Sequence, residues 1–300
     1  MRRYKLDSVR ATLLKGKVIK KTKRGLWHLV LIIGGLIFST PFIWLIFSSL
    51  KEPNELYVYP PQWIPNVLKH WPISFQLLIK NYKDALEYIP YFTYVGNTLY
   101  ITMMSIIGQL FSVSFVAYSF ARLKWRGKNI LFLVLISTMV LPGQVTMIPV
   151  FLIFKSIGWY NTLKPLWVPS FFGSAFNIFL LRQFYLTIPK DLDDSAKIDG
   201  AGYLKIYWHI MLPLVRPALI VIAIFTFLGA WNDFIGPLIY VNDPELTPIA
   251  LGLQVFKSAH GSDIGMLMAG ATVMTIPVII LFFMAQRYFI EGITLTGIKG

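Results

Sequence analysis

The segment from Asp194 to Pro213, DSAKIDGAGYLKIYWHIMLP, combines acids, glycines and aromatic residues in a pattern that favours binding to another surface rather than catalysis. Pro189 suits the first turn of a short helix. The acids that follow are favoured there by the helix dipole, and they are Asp191, Asp193 and Asp194. Gly200 and Gly202 predict its end, because glycine accepts left-handed backbone angles.

A second short helix is predicted from Tyr203 to Met211, ending before Pro213. Its two strongly polar residues, Lys205 and His209, are four apart and so share one face. The others are apolar or aromatic: Tyr203, Leu204, Ile206, Tyr207, Trp208, Ile210 and Met211. At about 13 Å the helix is too short to cross a bilayer. The residues leave two interpretations open: an interfacial helix lying on the membrane, or a helix that fills a groove in a partner.

Polar residues inside otherwise apolar stretches are candidates for a solute pathway. They are Asn97, Gln144, Asn177, Asn232, Asp233, Thr272 and Thr275. Hydrogen bonding between helices is the alternative for each. Asp233 lies about 24 Å along a helix that starts at Pro217, near the edge of the hydrocarbon core. We therefore expect a structural or gate-closing hydrogen bond with Asn232 rather than a proton relay.

Catalytic patterns are missing from the sequence. It contains no cysteine, no G-x-x-x-x-G-K-[ST] phosphate loop, no His/Glu metal spacing and no nucleophile–base set. We therefore expect a chain that is not an enzyme, hydrolyses no ATP itself and binds neither metal nor cofactor.

The elements that must position these residues are membrane-spanning helices. Of the 300 residues, 56% are hydrophobic and only 14% are charged, against about 25% charged in soluble domains. Six stretches reach the roughly 20 apolar residues that a crossing needs. They are Leu26–Ser49, Tyr94–Ser119, Asn129–Phe154, Leu166–Tyr185, Pro217–Tyr240 and Ile264–Gln286. The predicted fold class is an all-α polytopic membrane protein with six transmembrane helices, the first of them retained rather than cleaved.

Basic residues are unevenly distributed and predict the orientation. Residues 1–24, 121–128, 182–216 and the tail after Phe283 hold 21 of the 28 Lys and Arg. The positive-inside rule places these regions, and both termini, in the cytoplasm. This explains the net charge of +14 without nucleic acid; affinity for anionic membrane lipid is the further expectation. The outer loops are then 50–90, 155–165 and 241–263, and the last is expected to contact a partner or substrate.

The predicted organisation has three parts. A basic cytoplasmic segment, 1–25, precedes a six-span domain, 26–286, whose cytoplasmic loop is 186–213. A cytoplasmic tail, 287–300, follows.

The segment from Asp194 to Pro213 resembles the EAA loop of binding-protein-dependent ABC transporter permeases. That pattern is E-A-A, two residues, D-G-A, eight residues and I-x-L-P. The matching positions are Asp194, Ser195 and Ala196, then Asp199, Gly200 and Ala201, then Ile210, Leu212 and Pro213. Asp194 in place of Glu and Ser195 in place of Ala are the departures. LPGQVTMIP, AWNDF and the terminal QRYFIEGITLTGIKG look like the maltose-type second permease subunit of the sugar importers.

The resemblance implies a type I ABC importer permease in the cell membrane. Its short helix, with Tyr207 and Trp208, would dock in a cleft of a cytoplasmic ATPase and carry ATP-driven motion to the spans. The implied partners are a second, different permease subunit, two ATPase subunits that bind ATP and Mg²⁺, and an extracytoplasmic solute-binding protein. The implied function is the import of a sugar or oligosaccharide. A secondary carrier is the alternative, but it would need mid-membrane charges that the spans do not offer beyond Asp233; a polytopic membrane enzyme has no supporting residues.

Overall fold

The protein is almost entirely helical. The computed structural model describes residues 2–69, 74–257 and 263–294, with side chains described for 23–69, 74–257 and 263–287. Across these ranges the chain forms helices and loops and no β-strand, so the all-α expectation is confirmed.

The helices of the first half of the chain range from single turns to a very long N-terminal helix. They are α1 (Arg2–Ser49), α2 (Pro53–Leu56), α3 (Phe75–Tyr88), α4 (Tyr91–Arg122), α5 (Lys128–Ser137), α6 (Gly143–Ser156), α7 (Lys164–Trp167) and α8 (Ala175–Thr187). Short 3₁₀ turns lie at Asn66–Leu68, Thr138–Val140 and Val168–Phe172.

The second half contains the segment singled out above and two further long helices. Its helices are α9 (Asp191–Ile198), α10 (Tyr203–Ile206), α11 (Leu212–Leu214), α12 (Arg216–Trp231), α13 (Ile235–Tyr240), α14 (Ile249–Gly252) and α15 (Ile264–Thr294). A π-helical turn, Tyr207–Met211, joins α10 to α11. Two 3₁₀ turns occur at Pro244–Leu246 and Leu253–Lys257.

Three helices of the described chain are long and apolar enough to cross a membrane, namely Lys23–Ser49, Tyr91–Arg122 and Ile264–Arg287. Two bent pairs bring the number to five if each is one span. The first pair bends by 102° between Val140 and Gly143, and the second by 74° between Leu214 and Arg216. The described chain thus has helices that are able to span a membrane, and the count of six stays a prediction.

Three predicted spans differ from the structure. The stretch Asn129–Phe154 is two helices, α5 and α6, separated by the 102° bend between Val140 and Gly143. The stretch Leu166–Tyr185 is not one helix: it contains a 3₁₀ turn and then Gly173, whose φ of +75° stops helical geometry. Ser174 then caps α8, its side chain accepting a hydrogen bond from the backbone N–H of Asn177. The stretch Pro217–Tyr240 is likewise broken between α12 and α13.

The central helix of the fold is α4. It packs against α12, α8 and the 3₁₀ turn Val168–Phe172. Gly108 lets this turn approach, because a Cβ added there would lie 2.3 Å from a ring carbon of Phe171. By contrast α1, from residue 23 onward, is exposed along most of its length and packs mainly on α15. A helix that is apolar all round fits lipid better than water.

Candidate functional site

Helix α9 starts after Lys190 and presents three acids in its first turn. The helix dipole stabilises acids at this end, so the prediction of a short helix here is confirmed. Pro189 lies just before the cap residue, outside the first turn where it was expected.

The end of α9 is a Schellman motif. The N–H of Ala201 donates to the carbonyl of Ala196 at 2.9 Å, and the N–H of Gly200 donates to that of Lys197 at 3.0 Å. Gly200 has a φ of +76°, which this motif requires and which a Cβ disfavours. The D-G-A pattern, Asp199 to Ala201, therefore forms the C-terminal end of helix α9. Gly202, with a φ of −72°, is extended and precedes α10, so its predicted role in ending the helix is wrong.

The second helix of the segment is longer and less regular than predicted. It does not end before Pro213 but continues to Leu214. Pro213 lies in the last turn of this helix, directly after the π turn, and has no N–H to bond the turn before it. In the π turn before it, the N–H of Leu212 donates to the carbonyl of Tyr207, five residues back. Such turns are frequent at functional sites. We call Asp191–Leu214 the α9–α11 segment.

The inner face of this segment is built into the spans. Tyr207 is only 1% exposed, its ring stacks on that of Phe115 with centroids 4.4 Å apart, and its hydroxyl lies 2.7 Å from Ser114 Oγ. Ile206 and Met211 are buried beside it. Tyr207 therefore faces α4, and only Trp208 of the two expected docking aromatics faces outward.

A buried ion pair attaches α9 to the end of α4. Arg122 Nη1 lies 3.3 Å from Asp193 Oδ2, with side chains only 4% and 10% exposed. Arg122 Nη2 also donates to the carbonyl of Ile188 at 2.7 Å. Nearby, the hydroxyl of Tyr118 donates to the carbonyl of Tyr203 at 3.2 Å. Sequence reasoning missed Ser114, Tyr118 and Arg122, because nothing in their local pattern indicates a partner so far along the chain.

The outer face of the segment carries an exposed apolar patch. Leu204 is 68% exposed and Trp208, four residues later on the same side of the helix, is 51% exposed. Tyr203 and Ile198 of the same segment are also exposed. We call these four residues the docking face. Lys205 and His209 share one exposed side as predicted, and His209 Nδ1 lies 3.2 Å from the carbonyl of Lys205. A short helix with one face in the core and one apolar face outside is suited to receive a partner.

The remaining motif residues divide by burial. Asp194, Ser195, Asp199 and Gly200 are exposed, Ala196 is buried, and Ala201, Ile210, Leu212 and Pro213 are half-buried. Asp194 pairs at the surface with Lys197 at 3.2 Å, an interaction of little energetic weight.

Two of the polar residues predicted for a solute pathway come together. Gln144, at the start of α6, and Asp233, just before α13, line one cavity of about 420 Å³ with Thr146 and Tyr240. The bend between α5 and α6 and the break between α12 and α13 thus meet at this cavity. Irregular backbone at such depth occurs where it faces protein or a wet cavity.

The prediction of a hydrogen bond between Asn232 and Asp233 is wrong, because each side chain instead bonds a backbone group a few residues away. Asn232 Nδ2 donates to the carbonyl of Leu228 at 2.9 Å, at the end of α12. Asp233 Oδ1 accepts from the N–H of Gly236, in the first turn of α13, at 3.0 Å.

The other candidates have separate positions. Asn97 donates to backbone carbonyls of the loop after α13. Asn177 is buried near Ser174, whose Oγ lies 2.9 Å from the side-chain amide of Gln109. Thr272 and Thr275 bond the carbonyls four residues back in α15. Within the described residues, no group of three His, Cys, Asp or Glu is placed to hold a metal ion.

Comparison with known proteins identifies the family. Residues 111–294, more than half of the chain, match the model of the binding-protein-dependent transport system inner membrane component. A putative ABC transporter permease from Caldicellulosiruptor sp. is 32% identical over 284 residues, covering 94% of this chain and 99% of its own. The arabinooligosaccharide permease AraQ of Bacillus subtilis is 34% identical over 70% of this chain and 74% of its own. The trehalose/maltose permease MalG of Thermococcus litoralis is 27% identical over 91% and 97%.

A solved structure supports the same fold. A bacterial ABC transporter for import of the acidic polysaccharide alginate contains a chain with a TM-score of 0.73 and 24% identity, covering 88% of this chain and 96% of that one. The fold is therefore that of an ABC importer permease. The protein belongs to the family of binding-protein-dependent transport system inner membrane components, as the EAA-like motif indicated. It is an ABC transporter permease of the membrane.

Proposed function

We propose that this chain is one permease subunit of an ATP-driven importer that moves a sugar or oligosaccharide into the cytoplasm. The observation that carries the proposal is the two-sided α9–α11 segment, whose inner face bonds α4 and whose docking face is exposed. The family membership supports an ATPase subunit as the partner of this segment. Relatives named for arabinooligosaccharides, trehalose/maltose and diacetylchitobiose favour a carbohydrate substrate.

The proposed orientation follows the basic residues. Both termini, the 121–128 connection and the α9–α11 segment face the cytoplasm, and loop 241–257 faces outside. On the inner side, two ATPase subunits bind ATP and Mg²⁺ and hold the docking face. On the outer side, a solute-binding protein delivers the sugar. A second, different permease subunit completes the pathway in a heterodimer.

The proposed cycle begins when ATP closes the paired ATPase subunits. Their movement displaces the docking face, and Tyr207, Asp193 and Arg122 transfer that displacement to α4 because all three are buried in the joint. The spans change from inward-open to outward-open, and the sugar leaves its binding protein. The chain itself performs no hydrolysis in this account.

The cavity lined by Gln144, Thr146 and Asp233 is the proposed place where this subunit meets the sugar. A carboxylate accepts hydrogen bonds from sugar hydroxyls, and an amide both accepts and donates them. Tyr240, whose ring stacks against Phe151 with centroids 6.1 Å apart, supplies an apolar wall. Such a mixture of apolar walls and a few polar groups is typical of small-molecule sites.

Reconstitution tests the proposal. The tagged chain, co-expressed with its genomic neighbours, is purified and placed in proteoliposomes with radiolabelled mono- and oligosaccharides. We expect co-purified ATPase and second permease subunits, and uptake that requires both ATP and the binding protein. Uptake by the chain alone under an ion gradient would instead identify a secondary carrier and contradict the proposal.

A further inference from the structure

Helix α4 also holds the loop that follows α13. Asn97 Nδ2 donates to the carbonyls of Glu245 and Thr247 at 2.8 and 3.1 Å. One helical position later, Thr98 Oγ1 accepts the backbone N–H of Ile249 at 2.9 Å in a buried bond. Three backbone groups of the loop are thus bonded to two neighbouring side chains of one helix.

The same contact is tightly packed. Gly252, at the end of α14, lies against Tyr94, and a Cβ added to this glycine would be 2.2 Å from the Tyr94 ring. Ile249 is fully buried, with Leu253 and Phe256 in the same apolar cluster. Loop 244–256 is therefore packed against the start of α4 as well as hydrogen-bonded to it.

The opposite end of α4 bears the contacts to the α9–α11 segment. Ser114, Tyr118 and Arg122 reach Tyr207, the Tyr203 carbonyl and Asp193. Between Thr98 and Ser114 the chain is one unbroken helix, about 24 Å long at about 1.5 Å per residue. A helix without a break moves as a rigid element, so a displacement of one end is delivered to the other.

We infer that Asn97 and Thr98 are positioning residues that connect loop 244–256 to the α9–α11 segment through α4. The inference rests on the proposed function, in which the loop faces the binding protein and the segment faces the ATPase. Docking of loaded binding protein on the loop shifts α4, and α4 shifts the docking face toward the geometry that favours ATP hydrolysis. The linkage is reciprocal, so ATP binding also changes the loop.

Isosteric variants separate this linkage from simple docking. Thr98→Val removes the hydroxyl that accepts from Ile249, and Asn97→Leu removes the two donors to the loop. Thr226→Val is the matched control, because Thr226 bonds only the carbonyl four residues back, that of Ile222 at 2.8 Å, among the bonds described. The complete assembly is studied in lipid nanodiscs at saturating ATP, with and without sugar-loaded binding protein.

We expect basal ATPase activity within about twofold of wild type in all three variants. The maximal stimulation by loaded binding protein falls at least threefold in Thr98→Val and Asn97→Leu and stays at the wild-type level in Thr226→Val. A loop that served only as a docking platform would raise the half-saturating concentration of binding protein and leave the maximum unchanged, and that result would overturn the inference. If Thr98→Val lowers the amount of assembly, the test rests on the maximal stimulation of Asn97→Leu, because Asn97 is partly exposed and its substitution disturbs packing less.

A double variant tests whether the two ends of α4 act in one path. Distant, independent sites have additive free energies, so their effects on stimulation multiply. For Thr98→Val combined with Ser114→Ala we expect a loss no larger than that of the more severe single variant; multiplied losses would contradict the inference. If loaded binding protein does not stimulate the ATPase activity of the wild-type assembly, the proposed function and this inference are both overturned. Normal stimulation in wild type and in both α4 variants would overturn this inference alone.

Discussion

The hydroxyl of Tyr207 lies 2.7 Å from Ser114 Oγ, joining two residues that are 93 positions apart in the chain. The bond is buried, and it connects the π turn of the α9–α11 segment to the C-terminal third of the long helix α4. A displacement of the docking face is therefore expected to pass directly to α4, since the Tyr207 ring is also stacked on Phe115 of that helix.

Removal of this hydroxyl tests the joint. For Tyr207→Phe we expect a loss of about 0.5–1.5 kcal/mol of stability, the usual value of one such bond, and a several-fold reduction in ATP-driven uptake. The ring still fills its site, so the amount of permease in the membrane should be unchanged. Tyr59→Phe is the control, because Tyr59 is 93% exposed in a loop. Equal uptake in the two variants would remove Tyr207 from the coupling path.

The Arg122–Asp193 pair is expected to behave as a buried ion pair. Asp193→Leu leaves the guanidinium without its carboxylate, which typically costs about 3–5 kcal/mol. The double variant Arg122→Met with Asp193→Leu removes both charges and should regain much of that loss. Thermal unfolding of the purified chain in detergent measures both variants. A single variant as stable as wild type would show that the pair contributes nothing to the joint.

The backbone at Gly200 gives a third prediction. With a φ of +76° and no neighbouring atom within 4 Å of an added Cβ, Gly200→Val is strained only through its backbone, by about 1–3 kcal/mol. The end of α9 should reorient, and stimulated ATPase activity and uptake should fall while permease level stays normal. Gly202→Val is the matched control, since Gly202 has an open position at a φ of −72°. Normal coupling by Gly200→Val would refute the role of this turn.

A fourth prediction concerns the proposed sugar contact. Asp233→Asn keeps an oxygen for the N–H of Gly236, so α13 should begin as before. The loss of the negative charge weakens the hydrogen bonds that the side chain accepts from sugar hydroxyls, because bonds to ionised groups are about twice as strong. We expect several-fold slower uptake with normal basal ATPase activity. Uptake at the wild-type rate would exclude Asp233 from the pathway.

The sequence predicted local features well and long-range ones poorly. The D-G-A pattern correctly indicated the end of α9, because a Schellman motif depends on residues adjacent in the chain. The direction of Tyr207 was not predictable from a 3.6-residue period, since the π turn shifts the register of the side chains. The hydrogen bonds of Asn97 to the loop after α13 could not be predicted, because its partners lie some 150 residues later in the chain.

Some helix breaks were indicated by residues in the sequence, but the prediction gave more weight to the surrounding apolar residues. Pro169 and Gly173 lie inside the stretch predicted as the fourth span, and there the structure has a 3₁₀ turn and a left-handed glycine. The span was predicted from the apolar residues around Pro169 and Gly173, and the helix-breaking tendency of these two residues was not weighed against them. The same applies to the break after Trp231, where the side chain of Asn232 bonds the last turn of α12 and that of Asp233 bonds the first turn of α13.

The account rests most heavily on the docking face, and Leu204→Asp tests it directly. Leu204 is 68% exposed, so the substitution should leave the chain folded and inserted; Val58→Asp, in an exposed loop, is the control for an added charge. The measurement is the amount of ATPase subunit that co-purifies with the tagged permease in detergent. We predict a loss of at least tenfold for Leu204→Asp and none for Val58→Asp. A full complement of ATPase on the Leu204→Asp permease would contradict the account.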